Sequence, residues 1–201
     1  MSETTSARIF NGVMGVLDLL GMKRWRARTV APIKGTILEI GAGGGRNARW
    51  LDPGASVVAL DPDFELLKLA REKSRPQVRV VVAMAEALPF KDDSFDSALA
   101  TLVLCSVDDQ HKVASELKRT LRPDGVLHAI DHVLGKASSV KRAHRCLGPG
   151  WHRLTGSCRI DRSTLGVLRA EGFVVTARDS GLGSVFVRYQ ARTPVTADER
   201  I

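Results

Sequence analysis

The stretch Ile37-Leu38-Glu39-Ile40-Gly41-Ala42-Gly43-Gly44-Gly45 is an apolar run that leads directly into a glycine-rich turn. Such a turn lets the backbone approach a ligand closely, and the helix that follows directs its N–H groups at negative charge. Asp61 ends the next apolar run, Ser56–Asp61, where a carboxylate can accept both hydroxyl protons of a ribose. Together the two features predict a nucleoside-binding crevice at the carboxyl ends of neighbouring strands.

The glycine spacing distinguishes this turn from a dinucleotide site. The pattern Gly-x-Gly-x-x-Gly would need a glycine at position 46, where Arg46 stands. A pyrophosphate is therefore disfavoured. The stretch fits a nucleoside with a short zwitterionic tail, whose ammonium group Glu39 would help to hold. A tight turn in an unrelated α/β protein is the plainer alternative.

Outward from this stretch, short β-rich runs alternate with helical runs, which predicts a parallel sheet covered by helices. The last two β-rich runs have only the turn Asp179-Ser180-Gly181 between them, so we expect one reversed strand. The predicted strands are Thr36–Ile40, Ser56–Asp61, Val78–Val82, Phe95–Val103, Val126–Val133, Phe173–Arg178 and Ser184–Ala191. Helices are predicted at Arg46–Leu51, at Phe64–Ser74, after the capping pair Asp108-Asp109, and at Arg162–Ala170.

Length and composition indicate one globular domain. The chain has 201 residues, of which 44% are hydrophobic and 26% charged, and we treat residues 1–201 as a single domain. It contains no apolar run of the roughly 18 residues that a membrane span needs, and Met1–Thr5 does not resemble the start of a secretory leader. We therefore expect a cytoplasmic protein.

The cysteines predict neither a disulfide framework nor a metal site. Cys105, Cys146 and Cys158 are odd in number and lack a Cys-x-x-Cys spacing, so reduced thiols are expected. The spacing of Cys146 and Cys158 with His144 and His152 matches no familiar zinc pattern, and we expect no metal. Cys105 is predicted to be a core thiol rather than a nucleophile.

The net charge of +8 is concentrated in two segments, an N-terminal arm and a stretch after residue 135. Residues 1–34 are predicted to form a helical lid whose apolar stripe, with Val13 and Leu17, faces an apolar substrate. The alternative is a helix that lies on an anionic bilayer, which would be a peripheral membrane contact. Residues 136–160, with Trp151 and His152, are predicted to be an insertion that walls the same pocket.

Four segments carry a resemblance to a known family: ILEIGAGGG, VVALDPD, AMAEALPFKDDSFDSALA and ELKRTLRPDGVL. They resemble the motifs of the class I S-adenosylmethionine-dependent methyltransferases, in the small single-domain branch that includes enzymes of ubiquinone biosynthesis. The resemblance runs from Gly35 to Ala191. It implies S-adenosylmethionine as the cofactor and an α/β, Rossmann-like sheet of seven strands in the order 3-2-1-4-5-7-6, with strand 7 antiparallel and helices on both faces.

The same resemblance implies which residues bind the cofactor. Those at its methionine end would be Glu39, Gly41, Ala42 and Gly43. Asp61 would hold the ribose and Pro62 would flank the adenine, beside the loop Met84, Ala85 and Glu86. Thr101 and Leu102 would lie beneath the sulfonium. Because the family usually has Asp where this chain has Met84, the adenine amino group would bond to Glu86 or to backbone instead.

The acceptor side is indicated by Asp131-His132, at the carboxyl end of the fifth predicted strand. His132 is the candidate general base, with Asp131 as its catalytic partner. The alternative is that His132 bonds a loop carbonyl and Asp131 caps the next turn. A second resemblance is to the methyltransferase-like seven group of alkyl thiol methyltransferases. It is carried by the motifs TLVLCSV and DHV and by Trp151 with Gly156-x-Cys158, although that group has Glu in place of Asp131.

We therefore expect methyl transfer by in-line displacement to a small-molecule or lipid-like acceptor, at a thiol, amine or hydroxyl. A cofactor-binding protein without transfer activity and an RNA methyltransferase are the alternatives. The basic segments would suit RNA phosphates, but Tyr189 is the only tyrosine and lies away from them, so aromatic stacking platforms are scarce. The oligomeric state is left open.

Overall fold

The computed structural model describes residues 15–16, 18–73, 78–133, 158–181 and 185–194, with the single positions 142, 146, 148 and 150. Its seven strands form one sheet in the order β3-β2-β1-β4-β5-β7-β6. The first five strands pair in parallel, and β7 is antiparallel to both β5 and β6. The predicted order and the reversed strand are thus confirmed. The strands are β1 Thr36–Ile40, β2 Ser56–Asp61, β3 Val78–Val82, β4 Phe95–Thr101, β5 Leu121–His132, β6 Val174–Gly181 and β7 Phe186–Arg192.

Helices cover both faces of this sheet. They are α1 Lys23–Val30, α2 Phe64–Lys73, α3 Gln110–Thr120 and α4 Thr164–Ala170, and a π-helical turn, Asp18–Met22, precedes α1. Side chains of a strand alternate between faces, so Ile37 in β1 packs with Val30 of α1, while Leu38 packs in the core beneath α3 and α4. Because helices cover both faces of the sheet, the sequences of the central strands are nearly continuous apolar runs.

The glycine turn leads into a shorter helix than the sequence predicts. In place of a helix over Arg46–Leu51, the chain makes turns and one 3₁₀ turn, Ala48–Trp50, and Leu51 is extended with ψ 140°. Asp52 precedes Pro53, and a residue before proline disfavours the helical region, so the helix cannot continue. The predicted helix at this position is therefore wrong in length and type.

Several strand boundaries also differ from the prediction. Strand β4 ends at Thr101 rather than Val103, because Leu102 has the left-handed φ of +63°. Strand β5 begins earlier than Val126, at Leu121. The expected turn Asp179–Gly181 belongs to β6, where the register shifts between Ala177 and Asp179, and the Asp179 carboxylate accepts from Arg188 of β7 at 2.7 Å. The predicted position of the hairpin turn is therefore wrong.

Parts of the two predicted pocket walls lie outside the described residues. This applies to residues 1–14 and 17 of the predicted lid, and to most of 136–160. The described part of the lid is α1 with the π-helical turn, where Met22 packs on Leu102 and Ile130. In the described part of the chain, no helix is long and apolar enough to cross a membrane.

Candidate functional site

A cavity of about 430 Å³ opens at the carboxyl ends of β1, β2 and β4. Carboxyl ends of parallel strands on either side of a crossover point form the usual ligand crevice of this architecture. Except for Glu39, every residue that the sequence analysis assigned to cofactor binding lines this cavity: Gly41, Ala42, Gly43, Asp61, Pro62, Met84, Ala85, Glu86, Thr101 and Leu102.

The glycines of the turn serve different purposes. Gly41 and Gly45 have φ of +59° and +71°, and an added Cβ would collide with the Val103 side chain and with the Ala70 backbone respectively. Gly43 also has a positive φ, +51°, but a Cβ there would meet nothing within 4 Å. Gly41 and Gly45 therefore allow close packing within the protein, whereas Gly43 borders open space in the cavity wall.

Asp61 connects the glycine turn to the loop after β2. Its Oδ2 accepts a hydrogen bond from Gly43 N–H and its Oδ1 accepts one from Asp63 N–H, both at 2.9 Å. Burial raises the pKa of this carboxyl, while the two backbone donors lower it. Each ionised oxygen has a further lone pair, so the carboxylate can still accept from two hydroxyl groups in the cavity.

Glu39 lies behind the cavity wall, covered by a network of polar side chains. Asn47 Nδ2 donates to Glu39 Oε1 at 2.7 Å and to Thr101 Oγ1 at 2.9 Å. Arg26 Nη1 donates to Asn47 Oδ1 at 3.0 Å and to Thr101 Oγ1 at 2.6 Å. Burial raises the pKa of Glu39 to about 7. Arg26 and Asn47 line the cavity whereas Glu39 does not, and the role of Glu39 at the methionine end stays a prediction.

Sequence reasoning missed Arg26 and Asn47. Arg26 is separated from the glycine turn by β1 and reaches the cavity because α1 packs against β5. No local pattern marks one arginine of the basic arm over its neighbours. The position of Asn47 in the sequence gave a weak indication of its role, because an amide side chain shortly after a glycine turn can form hydrogen bonds with polar groups of the preceding strand.

The loop 84–86, which the family resemblance assigns to the adenine, bonds to the start of α3. Glu86 Oε1 accepts from Asp108 N–H at 3.0 Å, and Asp109 caps α3 by accepting from the N–H groups of His111 and Lys112. Met84 is 49% exposed and contributes its side chain to the cavity rim. The loop is therefore held in place by backbone bonds that are independent of any ligand.

Asp131 and His132 point to opposite faces of β5. Asp131 is fully buried, where its carboxylate accepts from Tyr189 O–H at 2.8 Å and from Cys105 N–H at 3.3 Å, and burial raises its pKa well above the usual value. It lies on the core side and lines no part of the cavity. The pairing of Asp131 with His132 as a catalytic dyad is therefore corrected, because consecutive strand residues face opposite ways.

His132 lies on the face of the sheet that α1 covers, beyond the cavity lining. Its ring stacks on Phe186 at 4.8 Å between centroids, and Nδ1 is 3.8 Å from Cys158 Sγ. Burial lowers its pKa to about 4, so the ring is neutral at physiological pH. Cys158 Sγ is also 3.9 Å from Sγ of Cys105, which is buried as predicted.

The residues assigned to acceptor binding, Val13, Leu17, Trp151 and His152, lie outside the described residues. Within the described ranges, no three His, Cys, Asp or Glu side chains group closely enough to hold a metal ion.

Comparisons with known proteins agree with this geometry. The methyltransferase domain family matches residues 38–129. The chain is 33% identical over 145 residues to human thiol S-methyltransferase TMT1A, covering 69% of this chain and 59% of that protein. It is 32% identical over 117 residues to demethylmenaquinone methyltransferase of Renibacterium salmoninarum, covering 56% of this chain and 49% of that one. The chain thus spans about three fifths or less of these relatives.

Among solved structures, phosphoethanolamine N-methyltransferase 2 of Haemonchus contortus, in complex with S-adenosyl-L-methionine, superposes with a TM-score of 0.63 at 16% identity. The match covers 89% of this chain and 52% of that one, and it shows the fold alone. The sheet order, the cavity and the sequence matches define a methyltransferase fold. Residues 38–129 match the methyltransferase domain family, and the chain is similar to thiol and quinone methyltransferases.

Proposed function

We propose that this chain transfers a methyl group from S-adenosylmethionine to a small-molecule or lipid-like acceptor, with a thiol as the favoured nucleophile and an amine or hydroxyl as alternatives. The observation that carries the proposal is the cavity in which open space beside Gly43 adjoins the Asp61 carboxylate. The names of the relatives, thiol S-methyltransferases and quinone methyltransferases, support acceptors of this size.

The residues of the cavity suit the cofactor's parts. Asp61 has lone pairs for the two ribose hydroxyls, and Gly43 leaves room for the ligand beside the backbone. Ala85 and Glu86 border the adenine side, while Thr101 and Leu102 form the floor at the other end. When bound, the cofactor supplies a methyl group already activated on a sulfonium. The task of the chain is then alignment, which contributes roughly 7–11 kcal/mol in well-oriented reactions.

A hydrogen bond between the end of β4 and β5 fixes the position of Leu102, which lines the cavity. Leu102 N–H donates to Ile130 O at 2.6 Å, and this holds Leu102 in its left-handed conformation between the cavity and β5. His132 follows Ile130 by two residues, so the two side chains lie on the same face of β5, and Ile130 packs with the cavity residue Leu102. We assign His132 as the group that accepts the acceptor's proton on the ground of its position on β5, since burial lowers the pKa of its ring to about 4 and the ring is neutral but weakly basic.

The proposal is tested with purified protein, S-adenosylmethionine carrying a tritiated methyl group, and parallel acceptors: an alkanethiol, a hydroquinone, an alkylamine, phospholipid vesicles and RNA. Isothermal titration measures cofactor binding in the same samples. Binding with label transferred to the alkanethiol supports the proposal. Binding without transfer to any acceptor would indicate a non-catalytic cofactor-binding protein. Transfer to RNA alone would indicate an RNA methyltransferase rather than an enzyme that acts on small molecules.

The role of His132 has a matched control on the same strand. His128 lies four residues earlier on the same face, is also partly buried, and has its pKa lowered to about 4 by burial and nearby arginines. His132→Ala should slow methyl transfer at least about ten-fold while the cofactor dissociation constant is unchanged. His128→Ala should leave both quantities near the wild-type values. Full activity of His132→Ala would remove the proposed role.

A further inference from the structure

Arg26 is a buried cation in the wall of the cavity, and it comes from outside the matched methyltransferase segment 38–129. Its side chain is only 4% exposed. Nη1 makes two hydrogen bonds, to Asn47 and Thr101, but Nε has no hydrogen-bond acceptor. A guanidinium has five N–H donors and stays charged, so this one has donors left for a ligand.

Arg26 and Arg46 place two positive charges in one part of the cavity wall. The nearest carboxylate is Asp18, whose Oδ1 is 3.4 Å from Arg26 Nε, but Asp18 Oδ2 also pairs with Arg46 Nη1 at 2.8 Å. Two arginines therefore share one carboxylate, and both line the cavity. A buried charge is stable only when it is paired, so an anion that reaches this wall gains more than it would in water.

We propose that Arg26 binds the carboxylate of the cofactor's methionine tail, an inference that rests on the proposed function. Asn47 separates two opposite charges: its Nδ2 faces Glu39 and its Oδ1 faces Arg26. An amino acid has the matching pair, an ammonium for the Glu39 side and a carboxylate for the Arg26 side. The planar guanidinium offers two parallel N–H donors to a carboxylate, which an ammonium side chain cannot do.

Arg26 thereby links α1 to the cofactor. Thr101 Oγ1, at the end of β4, accepts from both Arg26 and Asn47, so the guanidinium is already held at the cavity before a ligand arrives. Such preorganisation lowers the entropy lost on binding. It also makes Arg26 a determinant of specificity, because an adenosyl ligand without a carboxylate gains nothing from this contact.

The test compares ligands that differ in the tail alone. Isothermal titration measures the dissociation constants of S-adenosylmethionine, its decarboxylated analogue and 5′-methylthioadenosine, which has no amino acid tail. For the wild type, we expect S-adenosylmethionine to bind about ten- to a hundred-fold more tightly than its decarboxylated analogue, and this affinity ratio measures the contribution of the carboxylate. In Arg26→Gln this ratio should fall to within about three-fold of unity, while 5′-methylthioadenosine binds as it does to the wild type. Arg28→Gln, an exposed position of the same helix, should keep the full ratio.

Four results would overturn the inference. The first is an Arg26→Gln protein that keeps the wild-type ratio, and the second is an Arg46→Gln protein that loses the ratio while Arg26→Gln keeps it. The third concerns Arg26→Lys, which is used if Arg26→Gln fails to fold. Lysine keeps the buried charge but lacks the two parallel N–H donors, so the affinity ratio of S-adenosylmethionine to its decarboxylated analogue should fall. An unchanged ratio would contradict the proposed role of Arg26. If the wild type bound none of the adenosyl ligands, the proposed function would fail together with the inference, whereas tight binding of all three at equal affinity would overturn the inference alone.

Discussion

Glu39→Gln should make the protein more stable at neutral pH while it weakens cofactor binding. The Glu39 carboxyl is completely buried, and its Oε1 accepts one hydrogen bond, from Asn47 Nδ2 at 2.7 Å. Glutamine has nearly the same volume and keeps a carbonyl oxygen for that bond, but it has no charge to desolvate. The substitution therefore isolates the cost of burying the ionised form.

The magnitude follows from the pKa. Burial raises the pKa of Glu39 from 4.5 to about 7, and this value already includes the attraction of Arg26 and the bond from Asn47, which act in the opposite direction. Because the folded state binds more protons than the unfolded state between pH 4.5 and about 7, the free energy of unfolding falls as the pH rises through this window. At about 1.36 kcal/mol per pKa unit, the full loss is about 3 kcal/mol above pH 7.

Urea denaturation of the wild type and Glu39→Gln between pH 5 and pH 8 measures this effect. The variant should be about 1 kcal/mol more stable at pH 5 and about 3 kcal/mol more stable at pH 8. Glu72→Gln, at an exposed position of α2, should show a constant difference from the wild type over the same range. A pH-independent difference for Glu39→Gln, or a loss of stability at pH 8, would refute the reasoning.

The same variant should bind the cofactor less tightly, because it removes the negative charge that we expect to attract the ammonium group of the methionine tail. Wild-type affinity should also rise as the pH increases through about 7, since only ionised Glu39 attracts the ammonium. Calorimetric titration at pH 6 and pH 8 checks this, and equal affinity at both values would contradict it. Ionised Glu39 would then lower the stability of the fold and strengthen cofactor binding at the same time.

Three further outcomes are expected. Asp61→Asn, which removes an acceptor from the bonds to the glycine turn, should weaken cofactor binding at least about ten-fold in calorimetry; an unchanged affinity would contradict the ribose contact. Gly45→Ala should cost about 1–2 kcal/mol or more in urea denaturation, because it combines a φ of +71° with a contact 2.9 Å from the Ala70 backbone, and a wild-type midpoint would argue against this conformation. Tyr189→Phe removes a donor from buried Asp131 and should destabilise the fold by about 1–3 kcal/mol, which equal denaturation curves would disprove.

The larger features of the fold were predictable because they depend on local patterns. Apolar runs such as Thr36–Ile40 mark strands buried on both faces, and two final strands joined without a helix must lie antiparallel. The family resemblance supplied the complete strand order. The errors occurred where a neighbouring group competes with local propensity: Pro53 stops the helix after the glycine turn, and the pairing of Asp179 with Arg188 keeps β6 extended through the predicted turn.

The sequence alone determined the half of the site that lies in continuous segments. Asp61 ends β2 and Gly43 lies in the turn after β1, and parallel strands bring their carboxyl ends to one edge, so their proximity follows from the strand order. The opposite orientation of Asp131 and His132 was also within reach, because strand side chains alternate. Only the tertiary structure decided that Arg26 reaches the cavity and that Asn47 covers Glu39. Those contacts depend on how α1 packs across β5, which results from long-range burial of apolar surface rather than from any local pattern.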